Sequence, residues 1–106
     1  MNKVCVTVEP GICGFSCIIS AQEAKKRTVQ FEISGSECRQ IQRLAEILNE
    51  ITLKELFTPL TRNPIFISAE RAGCHLACPV PAAVVKTVEV AMGMALPREV
   101  RIKFDS

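Results

Sequence analysis

The spacing of apolar residues changes period near residue 34, and this change restricts the fold more than any other feature of the chain. Before it, apolar and polar residues alternate. Over residues 3–9, Val4, Val6 and Val8 share one face, with Lys3, Cys5, Thr7 and Glu9 on the other, which is the pattern of a half-buried strand. Glu9 to Gly14 breaks the alternation with Pro10, Gly11 and Gly14. Phe15 to Ala21 reads as a second strand, Ala21 to Lys26 as a charged turn and Arg27 to Ser34 as a third strand. In the third, Val29, Phe31 and Ile33 point inward and Thr28, Gln30 and Glu32 outward. Strands on such short connections form an antiparallel meander with one apolar face. Beyond residue 34 the apolar positions step by three and four. Cys38, Ile41, Leu44, Ala45, Leu48 and Ile51 then form the stripe of a first helix, opposite Arg39, Gln40, Arg43, Glu46 and Glu50.

The helix boundaries carry their own signals. Ser34 and Glu37 have capping-box spacing, and Ser36 competes as the N-cap. Thr52 and Glu55 repeat that spacing and open a short helix ending near Phe57. Asn63-Pro64 reads as an N-cap with proline at the first helical position, and Gly73 as the stop. The alternative, a short strand at Ile65-Phe66-Ile67, is disfavoured by the proline. Pro79 and Pro81 open a last helix over Ala82 to Ala95, with Val80, Val84, Val88, Ala91, Met92 and Ala95 on one face and Leu96-Pro97 ending it. Glu99 to Asp105 alternates again and reads as a final strand, with Val100, Ile102 and Phe104 inward. The whole predicts one α+β domain over residues 1–106. It is a two-layer sandwich of order βββααααβ: a three-stranded antiparallel meander plus a C-terminal strand, with helices packed on one face.

Composition removes several function classes. Basic and acidic residues are nearly balanced, 13 against 11, and are scattered along the chain. No basic stripe is interleaved with aromatics, so nucleic-acid binding is not expected. No apolar run approaches the ~20 residues of a membrane span. The start of the chain, Met1 to Val8, alternates, unlike the basic and then continuously apolar pattern of a signal peptide. A cytoplasmic location is therefore expected. In a reducing compartment the six cysteines are not a disulfide framework. Buried thiols, metal ligands and nucleophiles remain.

The placement of the cysteines favours ligands. Gly73 to Pro81 holds Cys74, the single histidine His75, and Cys78 immediately before the prolines that start a helix. The N–H groups and dipole of a helix N-terminus favour a thiolate over a thiol. Cys38 falls in the first turn of the first helix, on its buried side. Cys13 sits in the loop after the first strand, between Gly11 and Gly14. If both helices pack on the apolar face with their N-termini at one end, Cys13, Cys38 and Cys78 meet there. Three thiolates, with His75 or Cys74 as the fourth donor, suit tetrahedral zinc or an iron–sulfur cluster. Cys5 lies on the polar face and is left out. Cys17, though only four residues from Cys13, is expected in the core. The expected function is a metal or iron–sulfur binding module, a carrier, scaffold or sensor rather than an enzyme, with a cluster donor or acceptor protein as its partner. The alternatives are a thiol-based redox protein or cysteine-nucleophile enzyme, and an interaction domain whose cysteines merely pack.

This layout resembles the iron–sulfur scaffold proteins of the IscU/NifU type. There too a Cys-Gly follows an early strand, a cysteine opens the helix after the meander, and a His/Cys stretch opens a long helix. The resemblance implies that Cys13, Cys38 and Cys78, with His75 nearby, assemble a cluster or hold zinc. Four features differ: Phe15 follows Cys13-Gly14 where that family has aspartate, His75 is not adjacent to Cys78, the family's chaperone-docking motif is not visible, and the final strand at 99–105 is extra. Cysteine-bearing domains attached to some ribonucleotide reductases are similar in their Cys-Gly, later Cys, and Cys-Pro at a helix start. Pro10 to Phe15 together with Cys78-Pro79-Val80-Pro81 also resembles small uncharacterised proteins of anaerobic bacteria, a resemblance that implies no activity but makes an oxygen-sensitive cluster more plausible.

Overall fold

The computed structural model describes residues 3–106; the alternation read at Met1 and Asn2 lies outside the described residues. Strands β1 (Lys3–Val8), β2 (Cys17–Lys25), β3 (Thr28–Ser34) and β4 (Glu50–Thr52) form one antiparallel sheet in the order β1-β2-β3-β4. Between and after them come helices α1 (Arg39–Ile47), α2 (Leu53–Leu56), α3 (Pro64–Ala72) and α4 (Val80–Ala91), with a 3₁₀ turn at Leu60–Arg62. The fold is α+β. Helix α4 lies across β1 and β2, α1 packs on β3, and α3 packs on both α1 and α4.

The alternation of the first third does what its period requires. Val4, Val6 and Val8 stand opposite Ala21, Ile19 and Cys17, and Val29, Phe31 and Ile33 line the same buried face. Strand β2 runs on through the stretch read as a turn. Its extra residues pair with β3, a bulge between Glu23 and Lys25 absorbs a register shift, and Lys26-Arg27 makes the turn. Arg27 takes φ 58°, and its N–H donates to the Glu23 carboxylate at 3.2 Å. Cross-strand hydrogen bonds thus carry the strand past the last buried position, Ala21.

Helix boundaries also differ from the sequence expectation, for physical reasons. Helix α1 starts later than either serine proposed: Cys38 is the N-cap, and Ser36 Oγ accepts the Cys38 N–H at 3.1 Å. It also ends earlier, at Ile47. Leu48 turns extended, and Ile51 is fully buried in β4 opposite Val29. Helix propensities differ by at most about 0.7 kcal/mol per ordinary residue, whereas burying an isoleucine side chain is worth about 1.5–3 kcal/mol. The strand therefore wins, although Leu48 and Ile51 keep the three-residue step. Helix α4 stops at Ala91 because Gly93 takes φ 76°. The N–H groups of Gly93 and Met94 then donate to the carbonyls of Val90 and Glu89, a Schellman stop.

The expected C-terminal strand at 99–105 is the largest correction. The fourth strand of the sheet is β4, and the segment after α4 is irregular and exposed. Alternation alone does not make a strand, because the backbone needs a neighbour to pair with.

The remaining capping signals are borne out. Thr52 and Glu55 form the reciprocal capping box, with hydrogen bonds of 2.9 and 3.1 Å. Asn63 caps α3 through Ile65 N–H, and its buried amide donates to the carbonyls of Glu55, Leu56 and Thr58. Among the described residues, no helix is long and apolar enough to cross a membrane.

Candidate functional site

Five of the cysteines gather at one end of the sheet, and the register explains how. Cys17 opens β2 directly opposite Val8, the last residue of β1, so the loop carrying Cys13 joins the strands at that end. Cys38 caps α1 just after β3 returns to the same end. Cys78 precedes the N-cap of α4. Cys74 is placed by the stop of α3: Gly73, at φ 80°, and Cys74 donate to Glu70 and Ala69, another Schellman motif. That motif favours an apolar contact at the position Cys74 occupies, and Cys74, Cys38 and Cys78 are all half-buried against the core.

The sulfurs feel one another. Burial pushes the Cys17 thiol up to about 11, and the neighbouring Cys78 and Cys38 add to the rise. Cys74 is pushed up to about 11 by burial first and then by the same two neighbours. Cys78 is also raised, first by burial and further by Cys38 and Cys13, while the Val80 N–H at the start of α4 acts in the opposite direction. The helix N-terminus therefore favours a thiolate at Cys78, as its position predicted, but desolvation outweighs it. With a pKa of about 11, only on the order of one Cys74 in ten thousand is ionised at neutral pH.

Local hydrogen bonds hold the walls of the site. The Cys38 thiol donates to Gln40 Oε1 at 3.2 Å, and the Cys78 N–H donates to the His75 carbonyl at 3.0 Å, closing the turn before α4. Gly14 N–H donates to Gly11 at 2.9 Å in the Cys13 loop, with both glycines at positive φ. Cys13 is exposed. His75 is exposed too, and among the described residues no hydrogen bond engages its ring. Cys5 stands apart on the outer face of the sheet, beside Ser20 Oγ at 3.8 Å.

All six cysteines are free. Among the described residues, no three of His, Cys, Asp and Glu already stand around a common point as metal ligands. The arrangement is a group of free thiols on four segments of chain, of which Cys17, Cys74 and Cys78 are held toward the protonated form by burial and by their neighbours. Sequence reasoning placed Cys17 in the core, where it is only 2% exposed, but missed that it also touches this group electrostatically. The four-residue step from Cys13 and its place at the strand's start were the available signal.

Over residues 4–104 the chain matches the model of a family of unknown function, DUF6951. No curated protein and no solved structure matches it.

Proposed function

The chain thus belongs to the DUF6951 family, a membership that brings no activity with it, and we propose that it is a metal- or iron–sulfur-binding module. The observation that supports this reading is the gathering of Cys13, Cys17, Cys38, Cys74 and Cys78 at one end of the sheet, near enough that Cys38 and Cys78 help raise Cys17 and Cys74, and Cys38 and Cys13 help raise Cys78. A cation bound among such thiols takes the place of their protons and offsets the repulsion that would otherwise arise between the thiolates. Cys13, Cys38 and Cys78 are the principal ligands. Cys74 is a better fourth ligand than His75, because it is half-buried with the other sulfurs and His75 is exposed. Side chains close on the ion as it binds. The resemblance of the cysteine layout to IscU/NifU-type scaffolds supports the iron–sulfur form, and that to small proteins of anaerobic bacteria suits an oxygen-sensitive cluster. Ile12 and Leu76 are fully exposed beside Cys13 and His75, and they form the rim where a cluster donor or acceptor protein docks. A thiol-nucleophile reading is weaker, since burial raises the pKa of Cys74 and Cys78.

The test is anaerobic purification with metal analysis, followed by reconstitution with zinc or with iron and sulfide. Wild type and Cys5→Ser are expected to load equally. Cys38→Ser and Cys78→Ser are expected to lose most of the metal, and Cys74→Ser more of it than His75→Ala. Wild-type protein that holds no more metal than a Cys38→Ser/Cys78→Ser double variant would sink the reading.

A further inference from the structure

Strand β1 is an edge. It pairs with β2 on one side, and among the described residues nothing pairs with its other side. It also lacks the usual protection of an edge: it has no proline, its pairing with β2 has no bulge, and Lys3 is its one charged residue. Val4 and Val6 face the core but stay half-buried, because the sheet ends beside them.

The tail has the opposite deficit. Every residue from Gly93 onward is exposed, with Val100 at 59%, Ile102 at 79% and Phe104 at 89%. These three alternate with Arg101, Lys103 and Asp105. A period of two is the pattern of a strand with one buried face, yet this segment has nothing of its own to lie on.

We infer that the tail of one copy adds as an antiparallel strand to β1 of a second copy, Val100–Asp105 against Lys3–Val8, and that the exchange is reciprocal. The register is fixed by the residues themselves. On the core face Val4 meets Phe104, Val6 meets Ile102 and Val8 meets Val100. On the outer face Lys3 meets Asp105, Cys5 meets Lys103 and Thr7 meets Arg101. Opposite charges pair at one end, and each valine of β1 gains an apolar neighbour. A slip of one residue would turn the tail's charges onto the core. A slip of two would either set Lys3 against Lys103 or leave Val4 opposite Ser106. Within the free tail, Asp105 holds only an exposed contact with Lys103 at 3.8 Å, which is easily exchanged.

The direction of the chain favours a second copy as the partner. Helix α4 begins beside Cys17, at the end where β1 finishes, and runs across β1 and β2. The tail therefore leaves from the end where β1 begins, and to lie antiparallel on its own β1 it would first have to run back along the whole strand, using residues 93–99 for the return. An antiparallel strand on another molecule needs no such return, and a reciprocal exchange closes as a two-fold dimer.

Cys5 supplies the test, since it faces position 103 across the new pair. Lys103→Cys is made in the full chain, mixed with isotopically heavy copies, oxidised mildly, and its cross-linked peptides are mapped. A disulfide from Cys5 to position 103 joining light to heavy chains is expected, and it should disappear in Cys5→Ser/Lys103→Cys. Sedimentation should show a dimer whose dissociation constant rises at least tenfold in Ile102→Asp/Phe104→Asp, with the circular dichroism of the fold unchanged because both side chains are exposed. A wild type that stays monomeric as concentration rises, or a Cys5 link to position 103 found only within single chains, would overturn the inference.

Discussion

Helices α3 and α4 end in the same way, yet the chain after them fares differently. Gly73 and Gly93 both take left-handed backbone, at φ 80° and 76°, and both close Schellman motifs. After Gly73 the chain turns back. Cys74 packs on the core, and within seven residues Val80 is 1% exposed at the start of α4. After Gly93 the chain stays in solvent to its last residue. A glycine stop fixes only where a helix ends. The path of the chain beyond it is decided by uncovered apolar surface within reach. The segment after α3 finds β1 and β2 still bare, and α4 covers them. Once α4 is down, no comparable surface is left for the tail. The first segment is therefore pinned, and its cysteines with it, while the second is left for a partner.

The largest test of that contrast is a pair of truncations. Val80→Ala is expected to cost about 2 kcal/mol in denaturant unfolding, from lost burial plus the cavity left behind. Ile102→Ala, measured where the chain is monomeric, is expected to stay within about 0.5 kcal/mol. Equal costs would mean that the tail is docked after all.

Next comes pH. Cys17 and Cys74 have folded pKa values of about 11 against an ordinary 9.0, so the folded chain holds these protons more tightly than the unfolded one. Stability is therefore complete below pH 9 and falls as pH rises through about 11. Cys17 carries most of this effect, because Cys74 is partly open to water. With no Trp or Tyr in the chain, ultraviolet thiolate absorbance follows both groups directly. Stability that does not fall over that range would show that the thiols are open to solvent.

A smaller effect separates the two glycines. Gly73→Ala and Gly93→Ala should each cost about 1 kcal/mol, the penalty of a left-handed position for a residue with a Cβ. Only Gly73→Ala should also lower metal loading and speed alkylation of Cys74. If both variants leave the thiols alone, the turn at Gly73 does not position them.

Much of this was legible in the sequence because it is local. The period of two in residues 3–8 and 28–34, the Thr52/Glu55 box and the Asn63-Pro64 cap each depend on neighbours a few positions away. The end of α1 was not legible. Leu48 and Ile51 fit a helix stripe as well as a strand, and only Val29, distant in sequence, makes Ile51 a strand residue. The cysteine end was legible in part. Cys38 and Cys78 announce themselves at helix starts, but the approach of Cys17 and Cys74 depends on register and on the path after Gly73.

By itself, then, the sequence determined the classes of element, the apolar face of each and most of the stops, since these follow from side-chain spacing and backbone conformation. Tertiary structure decided which alternating segments became strands. It gave the fourth place in the sheet to Glu50–Thr52 and left residues 99–105 outside it. It also decided the ionisation of the thiols, because desolvation depends on the surroundings of each sulfur and outweighs the helix terminus that the sequence could foresee at Cys78.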